Sequence, residues 1–291
     1  MRRPAETLNA MTVDVEDYFH VSALSGSIAR DRWDSMEYRA EASTGRLLEL
    51  FADRGIHATF FVLGWVAERS PGLVRRIAAA GHEVACHGQS HELVYRQAPA
   101  VFREETLRSK ARLEELTGLP VRGYRAASYS ITRESLWALD VILDAGFEYD
   151  SSVFPIRHDV YGLPGARLRP GRIAAPSGRT LVEFPLSVAE VLGLRLPVAG
   201  GGYFRLLPYA VTRAGLRRVN RKAQSPFVFY LHPWEVDPGQ PRIAAPLKSR
   251  LRHYTNLDVC EARLVRLLSE FRFGRMDRVL AELDLLGAVR P

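Results

Sequence analysis

Two histidines four residues apart, His87 and His91, close the stretch Val84-Ala85-Cys86-His87-Gly88-Gln89-Ser90-His91. The run before them is short, apolar and strand-like. If the chain coils there for one turn, the spacing sets both imidazoles on one side. Two neutral imidazoles and one carboxylate would make a metal site with positions left for water and substrate. A chain with 8 His among 291 residues can also produce such a pair as ordinary packing. The metal reading therefore needs a carboxylate, a proton acceptor and a proton donor from elsewhere.

Leu8 to Val15 is short, apolar and β-leaning, and it runs into Asp14-Val15-Glu16-Asp17. Strand alternation puts Asp14 and Glu16 on one face. Val121 to Arg125 and Phe147 to Asp150 read as strands that end in Arg125 and Asp150. Pro226 to Leu231 is the clearest buried strand, and it delivers His232-Pro233-Trp234-Glu235. A histidine at the end of a buried strand, held by a following proline, is well placed as an acid or base. Each group has a bland counterpart, such as a solvated acidic turn or a histidine bonded to backbone. The ordered set of strand ends is what single chance events explain poorly.

The elements that must position these groups alternate. Helices are expected over Glu41–Arg54, from Ser70-Pro71 to Ala80, over Pro99–Thr117, and from Thr132, as cap, to Ala145. Strands are expected over Ile56–Leu63, Glu83–Cys86 and Thr180–Phe184. A rhythm of roughly thirty residues per unit predicts parallel βα units, an α/β fold closed or partly closed into a barrel. Such a barrel gathers its strand ends at one mouth. Arg157 to Gly178 reads as an irregular excursion and Gly200-Gly201-Gly202 as a flexible loop. Leu207 to Lys222 reads as a basic, solvated helix. After Pro246 the composition shifts. We expect residues 1–246 to form the barrel and 247–291 a C-terminal helical extension packed on it, with helices over Leu257–Phe271 and Arg275–Leu286.

Composition bounds the rest. Hydrophobic residues make up 47% and charged ones 25%, which excludes a disordered chain. The net charge of +7 favours acidic partners such as an anionic polysaccharide. The arginines are scattered, though, and no nucleic-acid motif accompanies them, so no nucleic-acid partner is expected. Two cysteines, Cys86 and Cys260, make no disulfide framework and fit a reducing compartment. Cys86 points away from His87 if the strand continues, so it is expected to pack. Met1 to Ala10 lacks the apolar core of a signal peptide, and no run of about 18 apolar residues exists. The expected location is the cytoplasm, with partners able to hold the protein at a membrane.

The ordered motifs resemble the polysaccharide deacetylases of the NodB-homology superfamily, carbohydrate esterase family four. The matching stretches are Thr12-Val13-Asp14-Val15-Glu16-Asp17, His87 to His91, Arg125 to Tyr129, Tyr149-Asp150-Ser151 and Leu231-His232-Pro233. Gly202-Tyr203-Phe204-Arg205 and His253-Tyr254-Thr255-Asn256 look like the subgroup found with exosortase and exopolysaccharide export systems. The resemblance implies a deformed (β/α) barrel that removes N-acetyl groups from N-acetylhexosamine residues of a glycan in exopolysaccharide biosynthesis; the alternatives are the same scaffold acting on peptidoglycan, a small cyclic amide or an O-acetyl ester, or an inactive glycan-binding or scaffold protein. It implies Asp14 as general base, Arg125 as its partner, His232 as general acid and Asp150 as the residue that orients it. His87 and His91 match the metal histidines. Val15 stands where many relatives have a second aspartate, so the third ligand maps onto Glu16, with Asp17 as the fallback. Zinc is the default metal, and iron, cobalt or nickel also suit the donors. A backbone N–H in the loop after Arg125 would face the oxyanion. That loop carries Ala126 and Ala127 where prolines are usual. The implied partners are a glycan containing N-acetylhexosamine and a membrane polysaccharide export system.

Overall fold

The computed structural model describes residues 7–287. Most of the stretch read as lacking a leader core, and residues 288–291, lie outside the described residues. In chain order the elements are β1 (Asn9–Val15), α1 (Ala40–Ala52), β2 (Thr59–Val62), α2 (Gly64–Arg69), α3 (Pro71–Ala79), β3 (Glu83–Cys86), α4 (Pro99–Thr117), β4 (Gly123–Tyr124), α5 (Ala138–Asp144) and β5 (Tyr149–Asp150). Then come β6 (Gly171–Ala174), β7 (Thr180–Glu183), β8 (Val188–Val191), β9 (Leu194–Pro197), α6 (Gly201–Leu206), α7 (Tyr209–Lys222), β10 (Val228–Leu231), α8 (Leu247–Tyr254), α9 (Leu257–Glu270), β11 (Phe273–Gly274) and α10 (Met276–Glu282).

One curled sheet runs in the order β10-β1-β2-β3-β4-β5-β7-β6, with β11 paired to the start of β1. All pairings are parallel except β6 on β7. The sheet ends at β10 and β6, so the barrel stays open between them. This is the expected α/β deformed barrel. Its strands β1, β2, β3 and β10 are buried on both faces, which is why they read as near-continuous apolar runs. On β1, Met11, Val13 and Val15 face the outer core, under helix residues such as Leu47, Phe51 and Ile77. Ala10 belongs to the inner core with Phe61, Ala85 and Val228. Asp14 pairs in register with Phe61, on the inner side where the strand ends.

The segment after residue 246 does more than coat the barrel. β11 joins the sheet, and Met276, Val279 and Leu280 of α10 pack into the inner core at the end opposite the strand tips. Several short elements were invisible to periodicity. α2 has only six residues. The β8–β9 hairpin turns on Leu192 and Gly193, both with positive φ. β6 lies inside the stretch expected to be irregular. Thr132 caps a short 3-10 turn, and α5 starts only at Ala138. The triple glycine is not a loose loop. Gly200 has φ 129° and bridges to Tyr230 on the free edge of β10, where a Cβ would overlap the Tyr230 carbonyl. α6 starts at the next residue.

Candidate active site

Every candidate group sits at the carboxyl end of a parallel strand. Asp14 is on β1 and Glu16 follows it. His87 and His91 follow β3, Arg125 follows β4, Asp150 ends β5 and His232 follows β10. Asp14, Glu16, His87, His91 and His232 line one cavity of about 250 Å³. His87 and His91 meet there without a helical turn. Gly88 and His91 take φ of 75° and 52°, and the loop between them is pinned from α2. The amides of Gly64 and Trp65 donate to the Gly88 and Gln89 carbonyls at 2.8 and 3.0 Å.

Glu16, His87 and His91 each offer a ligand atom within 4.8 Å of the others, and all three are buried. His87 Nδ1 lies 2.9 Å from the Arg125 carbonyl, which can only accept, so Nδ1 carries the proton and Nε2 is left as a lone pair. Burial holds the His87 pKa down at about 4, against the pull of Asp14, so the ring is neutral. Glu16 Oε2 is 2.6 Å from His91 Nε2, yet no donor is aligned on it as a hydrogen bond. Burial would raise the Glu16 pKa, but the facing His91 and His232 carry it below the usual carboxylate range. A buried carboxylate oxygen without a donor, beside imidazole lone pairs, is a donor set that fits a divalent cation. Asp17, the fallback ligand, is spent elsewhere: its carboxylate accepts the amides of Tyr18, Arg39 and Ala40 at 2.6–2.8 Å, at the start of α1. Cys86 is buried near the Ser109 hydroxyl, and burial pushes its thiol up to about 11, which suits packing.

Asp14 lies beside this triad. Arg125 Nη1 donates to its Oδ1 at 2.6 Å and the Tyr129 hydroxyl donates to its Oδ2 at 3.0 Å. Arg125 is fully buried, with its guanidinium 4.0 Å from the Phe61 ring centre and further bonds to Thr12 and Ser151. The loop that carries Tyr129 is tight, with φ of 50° at Ser128 and 54° at Tyr129. Its Tyr129 amide turns back to the Ala126 carbonyl at 3.0 Å, so it does not face an oxyanion.

His232 Nε2 stands 3.5 Å from Glu16 Oε1 and 4.0 Å from Asp14 Oδ2. Its Nδ1 meets Glu235 Oε1 at 2.6 Å, and Trp234 stacks on the ring at 5.0 Å. Burial disfavours its charge, but Glu16 and Glu235 prevail and raise its pKa to about 9. Here the structure corrects the sequence reading: Asp150 does not orient His232. It accepts the Ser152 hydroxyl at 2.6 Å and lies against Glu183, and the Ser152 oxygen in turn receives the Ala126 amide. Asp150 thus braces the loop after Arg125. Burial raises its pKa and, with Asp150 beside it, that of Glu183. The His232 partner is Glu235, held on its other oxygen by the fully buried Arg205 at 2.7 Å. The signal for Glu235 was in the sequence: an acid three residues after a residue that opens a helical turn. Arg205 had no local signal.

A parallel sheet with a buried two-histidine, one-carboxylate cluster, flanked by a held aspartate and a held histidine, defines a hydrolase-like centre. Comparison with known proteins adds partial matches. The polysaccharide deacetylase model matches residues 32–149. A domain of unknown function, DUF3473, matches residues 151–281, which include His232, Glu235 and Arg205. A peptidoglycan deacetylase of Helicobacter pylori is 33% identical over 119 residues, 40% of this chain and 39% of the relative. A chitooligosaccharide deacetylase of Bradyrhizobium is 31% identical over 99 residues, 34% of this chain and 43% of the relative. The chain thus matches about two fifths of each relative's length. A crystal structure from Mycobacterium smegmatis, assigned to the polysaccharide deacetylases, aligns with TM-score 0.63 and 20% identity over 99% of this chain and 96% of that one, a likeness of fold. Among the described residues no helix is long and apolar enough to cross a membrane.

Proposed function

We propose that this protein is a metal-dependent N-deacetylase that hydrolyses the acetamido group of N-acetylhexosamine residues in a polysaccharide, in exopolysaccharide biosynthesis and in association with a membrane export system. One observation carries the reading: the Glu16–His87–His91 cluster, the Arg125-held Asp14 and the Glu235-held His232 line a single cavity. An amide resists attack by water, so its hydrolysis needs carbonyl polarisation, a base and an acid. A divalent cation on Glu16, His87 and His91, zinc by default, would acidify water and polarise the carbonyl. Asp14, aimed by Arg125 and Tyr129, takes the proton from the attacking water. His232, held at Nδ1 by Glu235, protonates the departing nitrogen. Acetate and a free amine result.

Acetate release from N-acetylglucosamine oligomers tests this. Release should stop on chelation and return with added zinc. A rate that ignores the chelator would remove the metal from the mechanism. No release from any N-acetylated glycan in a panel would overturn the reading.

A further inference from the structure

We infer that an arginine-lined groove leading out of the catalytic cavity binds the anionic stretch of a polysaccharide whose reacting residue lies in that cavity. The inference rests on the deacetylase reading for the reacting residue, and on the groove itself for the charge. Three concavities adjoin one another through shared lining residues. The catalytic cavity shares Tyr203 with a second of about 480 Å³, which shares Pro164 and Gly165 with a third of about 690 Å³. Arg157 and Arg195 line the second. Arg133, Arg167, Arg169 and Arg172 line the third. All but Arg195 are exposed.

These cations are poorly balanced. Among the described residues, Arg195 reaches Glu190 at 3.9 Å and the other five form no ion pair. The one carboxylate among the described residues lining the third cavity is Glu183, which is buried and turned inward, its Oε1 accepting the Val153 amide at 3.0 Å. Guanidinium forks suit carboxylates or sulfates carried on a sugar ring. Leu163 and Ile173 give the third cavity apolar wall against which a sugar face can lie. Single-stranded nucleic acid would bring similar charge, but the two outer cavities offer no aromatic side chain beyond Tyr203 on which bases could stack.

The test uses the full chain and fluorescence anisotropy. The probes are labelled oligomers of alternating N-acetylglucosamine and glucuronate, neutral N-acetylglucosamine oligomers of equal length, and single-stranded DNA of equal charge. The acidic glycan should bind about tenfold tighter than the neutral one at low salt, and the difference should shrink as salt is added. The R169E/R172E double variant, at exposed positions outside the catalytic cavity, should lose about tenfold in affinity for the acidic glycan and none for the neutral one. Circular dichroism checks that it folds. Equal binding of acidic and neutral glycan, or indifference to the charge reversal, overturns the proposal. So does DNA that competes as well as the acidic glycan. Acetate release measured in parallel separates the two ideas. Arginine-dependent binding without release keeps the groove and sinks the deacetylase; release without charge dependence sinks the groove alone.

Discussion

Glu235 balances two cations at once, His232 on one oxygen and buried Arg205 on the other. Removing one partner of a buried ion pair strands the remaining charge, which costs more than the pair gains by forming. Glu235→Gln should therefore lower kcat about 10- to 100-fold while KM stays within about threefold, because the acid is weakened rather than the sugar contacts. Asp150→Asn should stay within about threefold of the parent rate, since Asp150 does not touch His232 and asparagine can still accept from Ser152. Steady-state kinetics on both variants decide the assignment. A large loss with Asp150→Asn and none with Glu235→Gln would restore the role taken from the resemblance. The strand-end positions of Asp14, His87, Arg125 and His232 were legible because each follows an apolar run. The Glu235–Arg205 partnership was not, because its two residues lie thirty positions apart.

At the scale of elements, short pieces set the geometry. α2 spends its first two amides on the loop between His87 and His91. A Cβ at Gly64 would overlap the Gln89 amide and the Ser109 hydroxyl. Gly64→Ala should thus displace that loop and weaken metal binding about 10- to 100-fold, read by metal titration. Unchanged affinity would show that the loop holds its shape without α2. At the opposite end of the barrel, Glu83 on β3 accepts the hydroxyls of Thr59 and Tyr149 and the amide of Asp277 at the start of α10. Burial, with Asp277 beside it, raises its pKa from 4.5 to about 8. The folded state thus holds a proton that the unfolded chain gives up. The contribution to stability is complete below about pH 4.5 and is lost as pH rises through about 8. In that window stability should fall by up to about 1.4 kcal/mol per pH unit, and Glu83→Gln should flatten the decline. Denaturant melts from pH 5 to 9 measure it, and a variant curve parallel to the parent would refute it.

For the whole molecule, a cation bound only by the folded chain stabilises it by mass action. At a concentration a hundredfold above its Kd the gain is about 2.7 kcal/mol. For a chain of this size that is a rise in Tm of roughly 5 °C or more. Zinc should give this shift with the parent protein, and His91→Ala should abolish it; equal shifts in both would place the metal elsewhere. β11 of the C-terminal segment pairs with β1 and α10 packs into the inner core, so the segment should unfold with the barrel in one transition.

By itself the sequence determined the alternation of strand and helix, the barrel that follows from it, and which residue types stand at strand ends. Those are local properties: apolar runs, turn residues and the side-chain period of two. Only the tertiary structure decided which carboxylate faces which imidazole. Glu16 rather than Asp17 turns to His91, and Glu235 rather than Asp150 holds His232. Those choices depend on where the curled sheet carries each strand end and on which buried donors have already been taken. No short stretch of chain encodes that accounting.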